Sequence, residues 1–240
     1  MMAHPNGKTM NSIGFSKYGK PAQLKKMEVP YPHGFDASKN VVIKVHASSV
    51  NPVDKILLSG DLKLVFPVAE FPHVISYDVA GVVEKADSKG VFSVGQPVFA
   101  RVWSDVDDDK KTPWFRGTMA EFCVARTSDV VTKPDNISFE EAASIPLAGM
   151  TAFQVLKESG LKEGNSVFIS GGAGGVGTMA IQLAKHVFKA GLVVTTASKG
   201  EKMDLCKSLG ADEVLDYRSE NFVTVYGNDG STKFDVCFDT

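Results

Sequence analysis

The stretch "SGGAGGVGTMAIQLAK" (residues 170–185) decides the fold class of the second half of the chain. Five of the seven residues from Gly171 to Gly177 are glycines, and an apolar run with helical periodicity follows them directly. A short apolar run, "SVFIS" (166–170), precedes them and is typical of a buried strand. A glycine-rich loop between a strand and a helix is the pattern of a dinucleotide-binding site. The alternative is a glycine-rich turn that binds nothing, which the strand–loop–helix order disfavours.

Each glycine of the G-x-G-x-x-G pattern has a predicted role. Gly172 lets the chain turn tightly after the strand, Gly174 lacks the Cβ that would block a pyrophosphate, and Gly177 lets the helix pack close to the sheet. The helix N-terminus offers N–H groups and a positive dipole end to the phosphates. The predicted phosphate-binding residues are therefore Gly172, Gly174, Gly175, Val176 and Gly177.

Strand and helix patterns alternate around this loop. The predicted strands are 166–170, 192–197, 213–217 and 233–240, and the predicted helices are 176–188 and 199–210. The segment 138–160 begins with Ser138 and Glu141 at capping-box spacing and predicts two short helices that divide near Pro146–Gly149. This alternation predicts a doubly wound parallel sheet of the Rossmann type over residues 138–240.

The chain before residue 138 has the pattern of a β domain. Runs rich in β-branched or alternating apolar residues occur at 40–50, 76–86, 96–102 and 120–126. Glycine and proline separate these runs. Many short strands with turns between them predict a barrel or a sandwich, so residues 1–137 form a predicted β domain.

Composition limits the classes of partner. The net charge of the 240 residues is -2, and no basic stripe indicates a nucleic acid or a membrane surface. No leader-like segment opens the chain, and no apolar run is long enough to span a bilayer. The three cysteines are far apart in sequence, which favours a reducing compartment and a cytoplasmic location.

The residues after the second Rossmann strand favour one nicotinamide cofactor. An NAD site usually has an acidic residue there, which binds the ribose 2′-hydroxyl. This chain instead has Ser198 and Lys199, a hydroxyl and a cation that suit a 2′-phosphate. The pattern predicts NADPH. The alternative is that Lys199 is a solvent-exposed lysine at the start of a helix.

Six segments together carry a family resemblance. They are "ASSVNPVDKILLSG" (47–60), "SYDVAGVV" (76–83), "GTMAEF" (117–122), "EEAASIPLAGMTAFQVL" (140–156), "GGAGGVGTMAIQLAK" (171–185) and "LGADEVLDYRSE" (209–220). In this order they resemble the medium-chain dehydrogenase/reductase superfamily, and within it the zinc-free branch of quinone oxidoreductases and enone (alkenal) reductases. The resemblance runs from about residue 12 to the end. It implies an N-terminal GroES-like β-barrel, a Rossmann domain and an active site between them.

The resemblance also implies the roles of single residues. Asn51 and Tyr77 are the candidate catalytic residues, and Asn51 and Thr151 match positions beside the nicotinamide. Ser198, Lys199 and Tyr217 match positions around the adenosine 2′-phosphate. Asn51 also has a simpler interpretation, because asparagine before proline often opens a turn.

The same comparison argues against a metal. In the zinc-dependent branch, a cysteine stands at the position of Asn51 and a His-Glu pair at Tyr77-Asp78. Amide and phenol groups are poor zinc ligands, so no metal site is expected. The acidic segment 105–116 lacks the glycine and the glutamate of a calcium loop and is interpreted as solvated. The expected reaction is hydride transfer from NADPH to a quinone or an α,β-unsaturated carbonyl.

Two other classes stay open. One is a binding protein without activity, and the other is a non-catalytic fragment that keeps partial nucleotide binding. The chain stops after the fourth predicted Rossmann strand, so the sequence predicts a truncated sheet without its fifth and sixth strands and a low turnover. Family members are often homodimers, which is the expected assembly.

Overall fold

The computed structural model describes residues 8–32, 35–65, 67–68, 71–102, 117–227 and 233–240. The chain divides into two compact units, Met1–Leu147 and Ala148–Thr240. The predicted domain boundary near residue 137 stays a prediction. The acidic segment interpreted above, 105–116, lies outside the described residues.

The first unit is mainly β-structure. Its strands are β1 (Thr9–Phe15), β2 (Lys25–Pro30), β3 (Asn40–Ser49), β4 (His73–Val74), β5 (Asp78–Lys85), β6 (Pro97–Arg101), β7 (Phe122–Arg126) and β8 (Val130–Thr132). Its α-helices are α1 (Pro52–Ser59) and α2 (Phe139–Ala143), and short 3-10 helices lie at Pro21–Gln23 and Thr127–Asp129.

The strands of the first unit form two antiparallel sheets. The larger has the order β7-β3-β5-β6-β8, and the smaller has the order β2-β1-β4. The core of the larger sheet is made by β-branched side chains that point inward, among them Val41, Ile43, Val79 and Val98. The predicted GroES-like β domain is thereby confirmed.

Strands β1 and β2 were not expected from the sequence. Strand β1 places the polar Ser12 inward, where it is 4% exposed, so the apolar alternation that predicts a strand is broken. The Ser12 hydroxyl donates to the Met27 carbonyl on β2 at 3.2 Å, which makes its burial tolerable. The inward-facing Ser12 therefore interrupts the apolar pattern by which β1 could have been predicted.

The capping box at the start of α2 is present. The Glu141 backbone N–H donates to the Ser138 hydroxyl at 3.1 Å, and the Ser138 N–H donates to the Glu141 carboxylate at 2.8 Å. Ala142 and Ala143 are buried and pack against Ala80 of β5. Helix α2 therefore packs on a strand of the first unit.

The second unit alternates between helices and strands. Its elements are α3 (Pro146–Glu158, which begins just before the unit does), β9 (Ser166–Ile169), α4 (Gly175–Gln182), β10 (Leu192–Ala197), α5 (Glu201–Ser208), β11 (Glu213–Asp216), α6 (Phe222–Gly227) and β12 (Val236–Phe238). Two helices are present over 138–160 as predicted, α2 and α3, but Ser144-Ile145 separates them, and the predicted division at Pro146–Gly149 lies inside α3.

The sheet of the second unit is parallel with the order β11-β10-β9-β12. The chain runs outward from β9 to β10 and β11, and then returns to place β12 on the other side of β9. The order reverses between β9 and β12, and such a switch point is where dinucleotides bind in doubly wound sheets. The predicted Rossmann topology is confirmed for these four strands.

The predicted helix 176–188 differs from the structure in its second half. Helix α4 ends at Gln182, and a π-helical turn follows over Leu183–Val187. In that turn the Phe188 N–H donates to the Leu183 carbonyl, five residues back. The wider turn changes the direction of the side chains that follow it, so Val187 is exposed while Ala180 is buried.

None of the helices in the described part of the chain has the length and apolar character needed to cross a membrane.

Candidate functional site

Asn51 lies at the start of helix α1, two residues after the end of strand β3. Its backbone is extended (φ -119°), and Pro52 occupies the first helical position. The Asn51 N–H donates to the Asp54 carboxylate at 2.7 Å, which satisfies a donor that the helix cannot. The Asn-Pro pair thus begins a capped helix.

The side chain of Asn51 is bound to Asp78, the first residue of β5. Asn51 Nδ2 donates to Asp78 Oδ2 at 2.8 Å, and the Ser49 hydroxyl donates to the same oxygen at 2.8 Å. The Leu147 N–H, in the first turn of α3, donates to Asp78 Oδ1 at 2.9 Å. Tyr77 precedes Asp78 and is buried. The structure therefore brings Asn51 to the residue next to Tyr77.

A network of polar groups joins the starts of α1 and β5. The Ser76 N–H donates to Asp54 Oδ1 at 2.7 Å, and the Ser76 hydroxyl donates to the Ser49 carbonyl at 2.5 Å. Ser76 has a positive φ of 75°, which is uncommon for a residue with a side chain. The hydroxyls of Ser48, Ser76 and Thr118 lie 2.8–2.9 Å from one another. These bonds hold a strained backbone in place.

Burial dominates the electrostatics of this network. Desolvation raises the pKa of Asp78, while hydrogen bonds from Asn51, Ser49 and Leu147 and the charge of Arg101 act in the opposite direction. Desolvation also raises the pKa of Asp54, and the nearby charge of Asp78 adds to that rise. Asn51 thus contacts two buried carboxyl groups, Asp54 through its backbone N–H and Asp78 through its side chain.

The glycine-rich loop of the second unit follows β9. The residue with a left-handed backbone is Gly171 (φ 64°), so the sharp turn lies one residue before the predicted position. A Cβ on Gly172 would lie 2.2 Å from Thr195 Oγ1, and one on Gly177 would lie 2.3 Å from the Gly171 carbonyl oxygen. These two glycines are required by contacts within the chain.

The other two glycines border open space. A Cβ on Gly175 would meet nothing within 4 Å, and one on Gly174 would meet only the Gly171 carbonyl oxygen, at 3.2 Å. Helix α4 begins at Gly175, and the N–H groups of a first helical turn, here including that of Val176, lack partners within the helix. Open space beside such donors at the switch point of the sheet fits a pyrophosphate.

The residues predicted at the adenosine end lie at the tips of β10 and β11. Ser198 is half-buried and Lys199 is exposed. Hydrogen bonds from the Arg218 N–H, the Ser219 hydroxyl and the Lys199 N–H lower the pKa of Asp216. Asp216 thus accepts hydrogen bonds both from Lys199, after β10, and from the turn that follows β11.

Aromatic and cationic groups are exposed on that turn. Tyr217 is 57% exposed, and the Arg218 guanidinium carbon lies 5.8 Å from the centre of its ring. An exposed aromatic face beside a guanidinium suits an adenine ring and a phosphate. The remaining predicted residue, Thr151, is half-buried in α3.

No cluster of three or more His, Cys, Asp or Glu side chains arranged for a metal ion occurs among the described residues. At the positions that correspond to zinc ligands, Asn51 donates a hydrogen bond to Asp78, and Tyr77 is buried. A metal-free mechanism stays a prediction.

Sequence reasoning missed four residues of these sites: Asp54, Asp78 as a hydrogen-bond acceptor, Asp216 and Arg218. Asp54 had a local signal, since it stands three residues after Asn51 with a proline between them, as in a capped helix start. Asp78 had none, because its donors lie 27, 29 and 69 residues away along the chain.

Two family descriptions match this chain. Residues 37–135 match the alcohol dehydrogenase GroES-like domain, and residues 175–240 match the zinc-binding dehydrogenase family.

The chain is similar to two plant reductases. It is 43% identical over 235 residues to the 2-methylene-furan-3-one reductase of Solanum lycopersicum, covering 96% of this chain and 57% of that one. It is 38% identical over 234 residues to the chloroplastic NADPH-dependent alkenal/one oxidoreductase of Arabidopsis thaliana, with coverages of 97% and 57%. The chain thus spans little more than half the length of these relatives.

Among solved structures, the quinone oxidoreductase from Coxiella burnetii has a similar fold. The TM-score is 0.78 and the sequence identity is 33%, with 96% of this chain and 68% of the other covered.

Proposed function

Because the chain belongs to the quinone oxidoreductase branch of the medium-chain dehydrogenase/reductase superfamily, we propose that it acts in the NADPH-dependent reduction of quinones or α,β-unsaturated carbonyls. The observation that carries this proposal is the loop of Gly174 and Gly175, with open space beside the first turn of α4. The name of the Arabidopsis relative, which includes NADPH and alkenal/one, supports the cofactor and the acceptor.

Three parts of the second unit have a proposed task in binding NADPH: the glycine-rich loop, the residues after β10 and the residue after β11. The N–H groups of Gly175, Val176 and Gly177 bind the pyrophosphate. Ser198 and Lys199 bind the 2′-phosphate, and Tyr217 packs against the adenosine. The lack of an acidic side chain directly after β10, where Ser198 and Lys199 stand, supports NADPH over NADH, since a carboxylate would repel the 2′-phosphate.

The first unit and α3 have the proposed task of orienting the reacting groups. Asn51 and Thr151 are each proposed to contact the nicotinamide, and Tyr77 is a proposed catalytic residue. NADPH, when bound, supplies the hydride. One proton from solvent and one hydride are added to the acceptor, so an enone becomes a saturated ketone and NADPH becomes NADP⁺.

The proposed setting is a reducing compartment, the cytoplasm, since the three cysteines of the sequence are far apart. A homodimer is the proposed assembly, and a small-molecule acceptor is the proposed partner. Nucleic acids and membranes are not proposed partners.

The test is an assay of NADPH and NADH oxidation against a panel of quinones, 2-alkenals and enones. We expect the loss of NADPH absorbance with at least one acceptor, and little with NADH. Equal rates with both cofactors would contradict the proposal. NADPH binding without turnover of any acceptor would favour the alternative of a binding protein.

The metal-free prediction has its own measurement. We expect elemental analysis of the purified protein to find zinc well below one atom per chain, and a chelator to leave NADPH oxidation unchanged. Stoichiometric zinc that the chelator removes together with the activity would overturn it.

A further inference from the structure

Asp78 is a fully buried carboxylate for which the sequence predicted no role beyond its zinc-ligand position. It is 0% exposed, and both of its oxygens accept hydrogen bonds from three separate parts of the first unit. Oδ2 accepts from the Ser49 hydroxyl and from Asn51 Nδ2, and Oδ1 accepts from the Leu147 N–H.

A buried carboxylate in such a place needs a reason. Removing a charge from water is costly, and a buried ion is weak support for stability even when its hydrogen bonds are satisfied. All three partners are donors, which matches an ionised carboxylate, because a carboxylic acid would offer a proton to one of them. The charged groups that face it are Arg101 on β6 and Asp54 on α1.

The carboxylate determines which way the Asn51 amide points. An ionised Asp78 only accepts hydrogen bonds, so the nitrogen of Asn51 must face it and the amide oxygen must point elsewhere. The backbone of Asn51 is held independently by Asp54. Main chain and side chain of Asn51 are thus anchored by two different carboxyl groups.

We propose that Asp78 is a positioning residue that orients the Asn51 amide for turnover. This inference rests on the proposed function for the role of Asn51 in turnover, whereas the anchoring itself does not. An asparagine in place of Asp78 has nearly the same shape but offers N–H groups as well as an oxygen. The Asn51 amide can then rotate by about 180° and face position 78 with its oxygen instead of its nitrogen.

The first experiment needs no variant and no activity. Hydrogen exchange of the side-chain N–H groups is measured by NMR on asparagine-labelled wild-type protein. We expect one Asn51 amide proton to exchange at least tenfold more slowly than those of Asn136, which is exposed. Equal exchange at both residues would overturn the anchoring, whether or not the protein turns over NADPH.

The second experiment is a double-mutant cycle of Asp78→Asn and Asn51→Ala, with Asp135→Asn as a matched control at an exposed carboxyl. In the wild-type background Asp78→Asn is expected to lower kcat/KM about tenfold or more, the effect of losing a hydrogen bond to a charged group. In the Asn51→Ala background it should change kcat/KM less than about twofold, because the group it positions is already gone.

The outcomes separate the two proposals. A tenfold loss in both backgrounds means that Asp78 acts without Asn51, which overturns the positioning role. A wild-type chain without turnover contradicts the proposed function, and the exchange of the Asn51 amide then decides the anchoring. If Asp78→Asn does not fold, the exchange measurement on the wild type is again decisive. Asp135→Asn should match the wild type in kcat/KM.

Discussion

Lys199 is an exposed cation just after the end of β10. We expect Lys199→Ala to weaken NADPH binding about 10- to 100-fold, because a hydrogen bond to a charged group contributes about 1.5–3 kcal/mol. NADH binding should change little, since NADH has no 2′-phosphate. Titration of both cofactors by fluorescence measures the effect.

Lys202 provides the control for Lys199. It is also an exposed lysine and lies in the first turn of α5, three residues further on. Lys202→Ala should leave the NADPH to NADH ratio close to that of the wild type. Equal losses of NADPH affinity in both variants would mean that only net charge matters, and Ser198 and Lys199 would not form a phosphate site.

Gly175 and Gly177 both lie in the first turn of α4, but their surroundings differ. A Cβ on Gly177 would lie 2.3 Å from the Gly171 carbonyl oxygen, so Gly177→Ala should lower the unfolding free energy by about 1–3 kcal/mol through overpacking. A Cβ on Gly175 meets nothing, so Gly175→Ala should keep or slightly raise stability while weakening NADPH binding.

Thermal unfolding and NADPH titration of the two variants separate these effects. A Gly175→Ala protein that binds NADPH as the wild type does would show that the open space is not used by the cofactor. A Gly177→Ala protein with unchanged stability would contradict the close packing of α4 on the loop.

At the scale of the element, helix α1 depends on a buried carboxyl group, Asp54. Burial raises its pKa in the folded protein, so folding takes up a proton between the ordinary Asp pKa, about 3.9, and the raised value. Its contribution to stability is therefore fully present below the ordinary pKa and is lost as the pH rises through the raised one. Asp54→Asn removes this titration.

We expect the wild type to lose stability relative to Asp54→Asn as the pH rises above about 4. Urea unfolding of both proteins at several pH values gives the difference in unfolding free energy. Asp135→Asn, at an exposed position, should run parallel to the wild type. A wild type that instead gains stability relative to Asp54→Asn with rising pH would mean that hydrogen bonds outweigh burial at Asp54.

Elements with contiguous periodic patterns were predicted well, and those whose pattern is interrupted were not. The capped helix α2 and the strands β9 and β10 follow from neighbouring residues alone. Helix α6 follows a polar segment and was missed. The π-helical turn after α4 was missed too, because its i→i+5 bonds do not depend on a residue type that marks them in the sequence.

At the scale of the whole molecule, the cysteines report on whether both units are folded. Burial raises the pKa of the Cys123 thiol to about 12 in the first unit, and Cys206 in the second unit is also buried with a raised pKa. Cys237 on β12 is exposed. At mildly alkaline pH we expect an alkylating reagent to label Cys237 first and Cys123 only after denaturant is added.

Peptide mapping by mass spectrometry measures the three labelling rates. Rapid labelling of Cys123 with slow labelling of Cys206 would show that the first unit is open while the second is folded. Equal rates at all three cysteines in native buffer would contradict the packing of both units.

Local sequence was enough for the Rossmann topology and for the position of the glycine-rich loop. The assignment of Ser198 and Lys199 to a phosphate site also comes from local sequence and stays a prediction. Each depends on residues within a few positions of one another, and strand, loop and helix patterns in a row leave few connections open. The assignment of the GroES-like domain and the expected role of Asn51 came from resemblance to a family. A resemblance matches positions of two sequences but gives no physical reason for the residue at each position.

Folding was needed to reveal the environment of Asn51. Asp78 collects its donors from β3, from the start of α1 and from the start of α3, up to 69 residues away. A carboxylate has no local pattern that indicates burial, and its hydrogen-bond partners follow from which strands become neighbours. The same holds for Gly172 and Gly177, whose missing side chains are explained by Thr195 on the next strand and by the Gly171 carbonyl across the turn.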